Sequence, residues 1–191
     1  DYDNPYLSPF EEFQRFKQHP HIRSLLEGGK RLSYGARALS EGGLQSIPKL
    51  TFPGGLLIGD AAGFLNVPKI KGNHTAMKSG IVAAESLVEH LAQGDVPEVM
   101  DYRARLEKSW LWSELYGVRN IRPSFRYGLI AGMIYSAIDC VLLRGKAPWT
   151  FSNHADHTAL KLAKDCQKIT YPKPDGKISF DRLSSVFLSN T

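Results

Sequence analysis

Residues 54–87 read GGLLIGDAAGFLNVPKIKGNHTAMKSGIVAAESL: a short apolar run, a loop of small residues and a long helical pattern. The apolar residues 56–58 predict a buried strand, and Asp60 follows that strand directly. From His74 onward, apolar and small residues recur at helical spacing, and Gly94 predicts the end of that helix. We therefore expect α/β structure with Asp60 at the carboxyl end of a strand, where open sheets of this class bind ligands.

A carboxylate and a helix amino terminus that face one crevice suit a ligand with sugar-like hydroxyl groups and an electron-rich head. Asp60 would accept hydrogen bonds from the hydroxyl groups, while the amides of residues 72–74 would stabilise negative charge. The alternative is that Asp60 only caps a turn, a common use of Asp. The sequence Gly-Asp-Ala-Ala-Gly at residues 59–63 favours the ligand site, because a turn does not need so many small residues.

The same loop and helix resemble the second flavin-binding motif of glutathione-reductase-like FAD proteins. Longer sequence segments resemble one family, electron transfer flavoprotein–ubiquinone oxidoreductase. These segments are YGARALSEGGLQSIPKLTFPGG, NVPKIKGNHTAMKSG, RNIRPSF and RGKAPWT. The resemblance covers most of the chain. It implies α/β or α+β structure, with a partial glutathione-reductase-like FAD domain and an appended helical, membrane-facing region. The residues that it implies for FAD binding are Gly59, Asp60, Ala61, Gly72, Asn73, His74 and Thr75.

In the intact enzyme, the resemblance implies that electrons pass from reduced electron transfer flavoprotein through a [4Fe–4S] cluster and FAD to ubiquinone. This chain contains no G-x-G-x-x-G fingerprint, and its two cysteines, Cys140 and Cys166, stand far apart. We therefore expect a segment of a longer oxidoreductase, inactive alone, with the cluster ligands outside this chain. No nucleophile, general base or metal site is expected within it. Contacts to the quinone head group are expected mostly upstream.

Two other interpretations stay open from the sequence. A FAD-dependent reductase of the geranylgeranyl reductase or FixC type would share the Gly-Asp-Ala-Ala-Gly loop and lack the iron–sulfur domain. A non-catalytic membrane-binding module derived from a flavoprotein would keep the flavoprotein fold without its catalytic activity. Four clustered cysteines downstream in the parent gene would eliminate the first, and FAD in the purified parent protein would exclude the second.

Residues 127–143 are rich in Gly, Ile, Leu, Met and Tyr and carry a single charge, Asp139, and basic residues flank them on both sides. A membrane-spanning helix needs about 20 apolar residues, so this run is short, and its acidic residue disfavours spanning. The flanks suit a segment in the membrane interface, with cations such as Arg119 at the level of the lipid phosphates. A buried core helix is the alternative, and the family resemblance favours the membrane. The residues predicted to face membrane or quinone are Tyr127, Leu129, Ile130, Met133, Ile134, Ile138 and Trp149.

The formal net charge of +5 favours acidic partners or anionic lipid, whereas nucleic acid is not expected because the basic residues are scattered. The resemblance implies a peripheral, monotopic protein of the inner membrane, mitochondrial or bacterial. The predicted organisation is a quinone-binding or substrate domain (1–53), the carboxyl-terminal part of the FAD domain (54–118), the membrane-facing segment (119–150) and a linker with a helix toward the iron–sulfur domain (151–191).

Local patterns predict further elements. The capping box Ser8-Pro9-Phe10-Glu11 predicts a helix over residues 9–18, and a second helix is expected over 20–27. Loose alternation predicts a strand over 30–39, and a short amphipathic helix is expected over 179–188. A surface helix over 96–118 is predicted with a buried stripe of Val99, Tyr102, Leu106, Trp110 and Leu111. Cys140 is predicted to be a small core residue.

Overall fold

The computed structural model describes residues 3–94 and 97–189. Two short strands, β1 (Thr51–Phe52) and β2 (Gly55–Leu56), pair as an antiparallel hairpin. The α-helices in chain order are α1 (Pro9–Lys17), α2 (Pro20–Leu26), α3 (Asn73–Ala92), α4 (Tyr102–Glu107), α5 (Trp110–Gly117), α6 (Ile121–Ser124), α7 (Leu129–Ala137) and α8 (Arg182–Phe187). A π-helical segment, Ile138–Leu143, continues α7. This mixed architecture is compatible with the α+β class.

The chain divides into two compact units, the first formed by residues 1–37 with 154–191 and the second by residues 38–153. In the first unit, α1 begins as predicted, because Ser8 accepts a hydrogen bond from the amide of Glu11 at 3.4 Å and proline follows the cap. The predicted second helix is confirmed as α2. Helix α8 confirms the predicted carboxyl-terminal helix in a shorter form, with Asp181 as its N-cap.

Polar contacts join the two parts of the first unit. The buried side chain of Gln14 accepts a hydrogen bond from the Phe180 amide at 2.9 Å. Near the same helix, Asp175 accepts hydrogen bonds from the amides of residues 177–179 and from the Gln18 side chain. These hydrogen bonds hold the pKa of Asp175 well below its usual range. The turn around Asp175 is therefore fixed by an ionised carboxylate.

The second unit contains the larger apolar core. Helix α3 packs against α4, α5 and the short 3-10 turn Gly59–Ala62. The buried residues that fill this core are Leu50, Ala62, Phe64, Val82, Ala83, Val99, Tyr102, Leu106, Leu111 and Leu115. Because Ala and Ser dominate the inner face of α3, its neighbours approach closely, and the small-residue pattern of the sequence has a packing cause.

The strand predictions are wrong. Residues 56–58 form no buried strand: β2 ends at Leu56, and Ile58 is exposed. Gly54, with φ of 80°, turns the chain back after two residues, so a hairpin replaces the expected sheet strand. Residues 30–39 form no strand and pair with none among the described residues, because alternation by itself supplies no partner.

A single helix was predicted over residues 96–118, but the chain forms two helices there, α4 and α5. Residue 96 lies outside the described residues. Ser109 adopts an extended conformation between them, and its hydroxyl donates to the Leu106 carbonyl at 2.7 Å, which ends α4. Most of the predicted buried stripe is confirmed. Trp110 is the exception, with 48% of its surface exposed at the start of α5.

Candidate functional site

The Gly59–Ala62 turn lies directly against helix α3. The amide of Gly59 donates to Ser79 Oγ at 2.9 Å, and a Cβ on Gly59 would lie 3.1 Å from the Cβ of Ala76. Gly59 also has φ of 57°, which only glycine adopts easily. The Tyr102 hydroxyl supports the chain before the turn by donating to the Leu57 carbonyl at 3.2 Å, and burial raises the pKa of Tyr102 to about 12. The turn therefore has little freedom to move.

Asp60 projects from this turn toward the amino terminus of α3. Its Oδ1 atom is buried and has no hydrogen-bond partner among the described residues. A Cβ on Gly72 would lie 2.5 Å from that atom, so only glycine leaves room for the carboxylate there. Gly72 is the N-cap of α3 and has no side chain to satisfy the amides of the first turn. An unpaired buried carboxylate oxygen and an uncapped helix terminus thus lie side by side, which suits a ligand with hydroxyl and electron-rich groups.

The remaining predicted cofactor residues surround this pair in different environments. Thr75 is buried and donates from Oγ1 to the Gly72 carbonyl at 2.8 Å, so its hydroxyl stabilises the first turn of α3. Ala61 and Asn73 are exposed, and His74 is half-buried. The structure therefore brings the predicted residues together at one place. Their contacts with a flavin stay a prediction.

Sequence reasoning missed Glu114, which lies on α5 and contacts the same helix start. Its Oε1 atom accepts hydrogen bonds from Asn66, Lys69 and His74. Burial opposes ionisation, but these three hydrogen bonds outweigh it and lower the pKa of Glu114 to about 2. Glu114 is 40 residues from His74 in the chain, and no local pattern marks it.

The lowered pKa of Glu114 predicts a pH-dependent contribution to stability. Because its folded-state pKa of about 2 lies below the ordinary value of 4.5, the contribution is fully present above pH 4.5 and is lost as the pH falls toward 2. Denaturant unfolding of the wild type and Glu114→Gln should show the variant less stable at pH 6 and the difference shrinking between pH 4.5 and 2. A difference independent of pH would contradict this assignment.

The second predicted surface is the outer side of α7 and the π-helical segment. All seven residues predicted to face membrane or quinone are exposed; they are Tyr127, Leu129, Ile130, Met133, Ile134, Ile138 and Trp149. Val141 and Leu142, which the sequence analysis did not select, extend the same exposed apolar surface, with 70% and 73% of their surfaces exposed. We call these nine residues the apolar face. Contact of this face with lipid stays a prediction.

The inner side of the same segment is packed against protein. A Cβ on Gly132 would lie 2.6 Å from the Phe125 ring, so glycine permits this close approach. Asp139 is buried, its Oδ1 atom has no hydrogen-bond partner among the described residues, and burial raises its pKa while Arg119 opposes that shift. Cys140 is exposed, so its prediction as a core residue is wrong. Adjacent residues of a helix point in different directions, so Asp139 faces the protein while Cys140 faces outward.

Arg119 does not lie at the surface as predicted for a lipid-facing cation. Only 3% of it is exposed, and its guanidinium donates to the carbonyls of Tyr116, Gly145, Ala147 and Trp149 and to the Thr150 hydroxyl. The guanidinium of Arg has five N–H donors, and the carbonyl groups of the chain after the π-helical segment accept hydrogen bonds from it. Arg119 therefore fixes the chain that follows the π-helical segment.

Within residues 3–94 and 97–189, no helix has the length and apolar character needed to cross a membrane. Over the same described ranges, no three His, Cys, Asp or Glu side chains are grouped closely enough to hold a metal ion. Cys140 and Cys166 are both free.

The first unit contains a cavity that the sequence analysis did not anticipate. Its volume is about 630 Å³, and it lies where the loop after α2 meets the chain before α8. Its lining includes Gly28, Gly29 and Gly176 and the apolar residues Leu26, Ile178, Phe180 and Leu188. The charged residues that line it are Arg23, Glu27, Lys30, Arg31, Asp175 and Lys177. Such a lining combines an apolar surface with charged groups that can donate or accept hydrogen bonds.

Comparison with known proteins adds independent findings. A family model described as "ETF-QO, ubiquinone-binding" matches residues 1–39. The chain is 62% identical over 200 residues to the Homo sapiens protein named electron transfer flavoprotein-ubiquinone oxidoreductase, mitochondrial, and the match covers 100% of this chain and 32% of that relative. Proteins of the same name from Oryza sativa subsp. japonica and Dictyostelium discoideum are 53% and 50% identical, and the chain covers 33% and 34% of them.

The chain spans about a third of the length of the curated relatives it matches. The matches extend over its whole length, so they include the loop of Asp60, helix α3 and the apolar face alike. They confirm the family resemblance seen in the sequence motifs. Over its whole length, the chain therefore resembles one segment of the electron transfer flavoprotein–ubiquinone oxidoreductases.

Proposed function

We propose that this chain is part of an enzyme that passes electrons from reduced electron transfer flavoprotein to ubiquinone at a membrane. The names of the relatives and the match to the ubiquinone-binding family model support this proposal, and they favour it over a reductase of the geranylgeranyl reductase or FixC type. The structural observation that carries it is the buried, unpartnered Oδ1 atom of Asp60 beside Gly72. That atom is suited to a ligand hydroxyl group.

We propose FAD as the ligand, held in a glutathione-reductase-like domain completed by residues outside this chain. When bound, FAD supplies the reversible uptake of electrons, and the protein supplies binding and electrostatics. Asp60 would accept a hydrogen bond from the ribityl chain, and the amides at the start of α3 would orient the electron-rich part of the flavin. The residues proposed to hold it are Gly59, Asp60, Ala61, Gly72, Asn73, His74 and Thr75. The ligands of the [4Fe–4S] cluster are proposed to lie outside this chain.

We propose that the cavity of the first unit receives the ubiquinone head group. Part of its lining, including Gly28 and Gly29, falls within the range that matches the ubiquinone-binding family model, and the rest comes from residues 175–188. Apolar side chains such as Phe180 would contact the ring, while Arg31 and the other basic residues could donate to its carbonyl oxygens. This proposal revises the expectation that quinone head-group contacts lie mostly upstream of the chain.

We propose that the apolar face of α7 and the π-helical segment lies on lipid, so that the enzyme is monotopic. Its exposed apolar side chains lie on one side and its packed, polar side chains on the other, the arrangement expected for a segment in the interface. Relatives in animals, a plant and an amoeba carry "mitochondrial" in their names, which supports the mitochondrial inner membrane as its location.

The proposed function is tested by turnover of the purified full-length enzyme. Electron transfer flavoprotein, kept reduced, is supplied with a soluble ubiquinone analogue, and quinone reduction is followed with either partner omitted. The proposal predicts quinone reduction that needs both partners and saturates with each. Bound FAD with no acceptance of electrons from the reduced flavoprotein would refute the proposed donor, and absence of FAD would refute the flavin site.

A further inference from the structure

The carboxylate of Glu114, on α5, holds the amino-terminal turn of α3 in place. Glu114 Oε1 accepts hydrogen bonds from Asn66 Nδ2 at 2.7 Å, Lys69 Nζ at 3.0 Å and His74 Nε2 at 2.9 Å. Because an ionised carboxylate can only accept hydrogen bonds, the Nε2 atom of His74 carries the hydrogen and is the donor of this hydrogen bond. One oxygen atom thus connects α5, the turn before α3 and α3 itself.

The turn before α3 is strained and needs such support. Asn66 and Lys71 form an isolated antiparallel bridge, with backbone hydrogen bonds of 2.9 and 3.4 Å. Between them, Ile70 has φ of 52°, a conformation that β-branched residues rarely adopt and that persists only where the surroundings hold it. Glu114 contacts Asn66 at one end of this turn and Lys69 within it, so it stabilises the strained segment directly.

The ring of His74 is fixed from two directions, both by α5. It stacks on Trp110 with centroids 5.8 Å apart and planes 6° from parallel, and it donates to Glu114. His74 belongs to the first turn of α3, beside Gly72 and the buried oxygen of Asp60. Trp110 was predicted to be buried but is exposed. Its ring stacks on His74 and therefore helps to hold the first turn of α3.

We infer that Glu114 is a positioning residue for the flavin site: through His74 and the turn of residues 66–71, it holds the first turn of α3 where the flavin binds. This inference rests on the proposed function. Two consequences follow from the chemistry of the carboxylate. Loss of its hydrogen bonds frees the helix start, and loss of its negative charge makes the surroundings more favourable to the electron-rich reduced flavin.

The test uses the full-length enzyme with Glu114→Ala, Glu114→Gln and the control Glu107→Gln. Glu107 is an exposed carboxylate on α4 paired with Arg103 at 2.9 Å, so its change removes the same charge away from the site. The Ala variant should bind FAD on the order of tenfold more weakly, as is usual when a group that orients a ligand-holding residue is lost. The Gln variant keeps an accepting oxygen and should retain FAD, with a flavin midpoint potential shifted to a more positive value. The control should match the wild type.

The potential of the Gln variant decides the inference, even if the Ala variant does not fold. A wild-type potential in Glu114→Gln, or wild-type FAD affinity in a folded Glu114→Ala variant, would overturn the positioning role, because a purely structural residue would change only the unfolding temperature. Failure of the proposed function has a different signature, since Asp60→Ala would then leave FAD binding unchanged as well.

Discussion

Replacing Ile130, Ile134 and Ile138 together with Ser in the full-length enzyme is expected to release it from liposomes. The three side chains repeat every fourth residue along one side of α7 and the π-helical segment, with 75%, 58% and 41% of their surfaces exposed. Burying an Ile side chain away from water contributes roughly 1.5–3 kcal/mol. Even partial burial of all three in lipid therefore predicts at least about a hundredfold loss in membrane partitioning.

Co-sedimentation with liposomes measures this loss, and the matched control replaces Ile81, Leu87 and Leu91 with Ser. These three apolar residues of α3 are exposed to a similar degree and lie outside the apolar face. Reduction of long-tailed quinones should slow in the Ile variant, while acceptance of electrons from reduced electron transfer flavoprotein persists. Equal sedimentation of the two triple variants would show that the apolar face does not bind lipid.

Asp60→Ala in the full-length enzyme is expected to weaken FAD binding by about one to two decades while the fold is preserved. The change removes the buried Oδ1 atom that has no protein partner, so no hydrogen bond of Oδ1 within the described chain is lost. A hydrogen bond to a charged group is worth roughly 1.5–3 kcal/mol, which corresponds to that range of affinity. Stability of the FAD-free protein should rise or stay equal, because an unpaired buried carboxylate oxygen is removed.

Equilibrium titration of the FAD-free protein with FAD measures the affinity, and thermal unfolding of the same samples checks the fold. Glu85→Ala provides the control, since it removes an exposed carboxylate from α3. Asp60 is only a turn residue if flavin affinity and reduction potential both equal those of the wild type.

Elements with local causes could be predicted from the sequence. Helix α1 follows from its capping box and proline, and α3 follows from the helical spacing of its apolar residues and the glycine near its end. The closeness of Asp60 to Gly72 was also predictable, because Asp60 was placed at the end of one element and Gly72 at the start of the next, with both facing one crevice. These predictions depend on residues near one another in the chain.

Features that depend on distant residues could not be predicted. The strand expected over residues 56–58 is an exception, because the reason it is absent is local: Gly54 turns the chain, and the hairpin that results has strands of only two residues. Arg119 was expected to face lipid phosphate, but carbonyl groups from residues 145–149 surround its guanidinium. Glu114 was invisible because its partners are brought to it only by tertiary packing.

Hydrogen–deuterium exchange of the full-length enzyme, with and without FAD, tests most directly whether this chain forms the proposed wall of the flavin site. We expect slower amide exchange at residues 59–61 and 72–75 when FAD is bound, because the Asp60 turn and the first turn of α3 would be covered and held in place. Residues 129–143, which carry most of the apolar face, should exchange at the same rate in both samples. Unchanged exchange at 59–61 and 72–75, with slower exchange confined to other parts of the enzyme, would show that this chain does not form that wall.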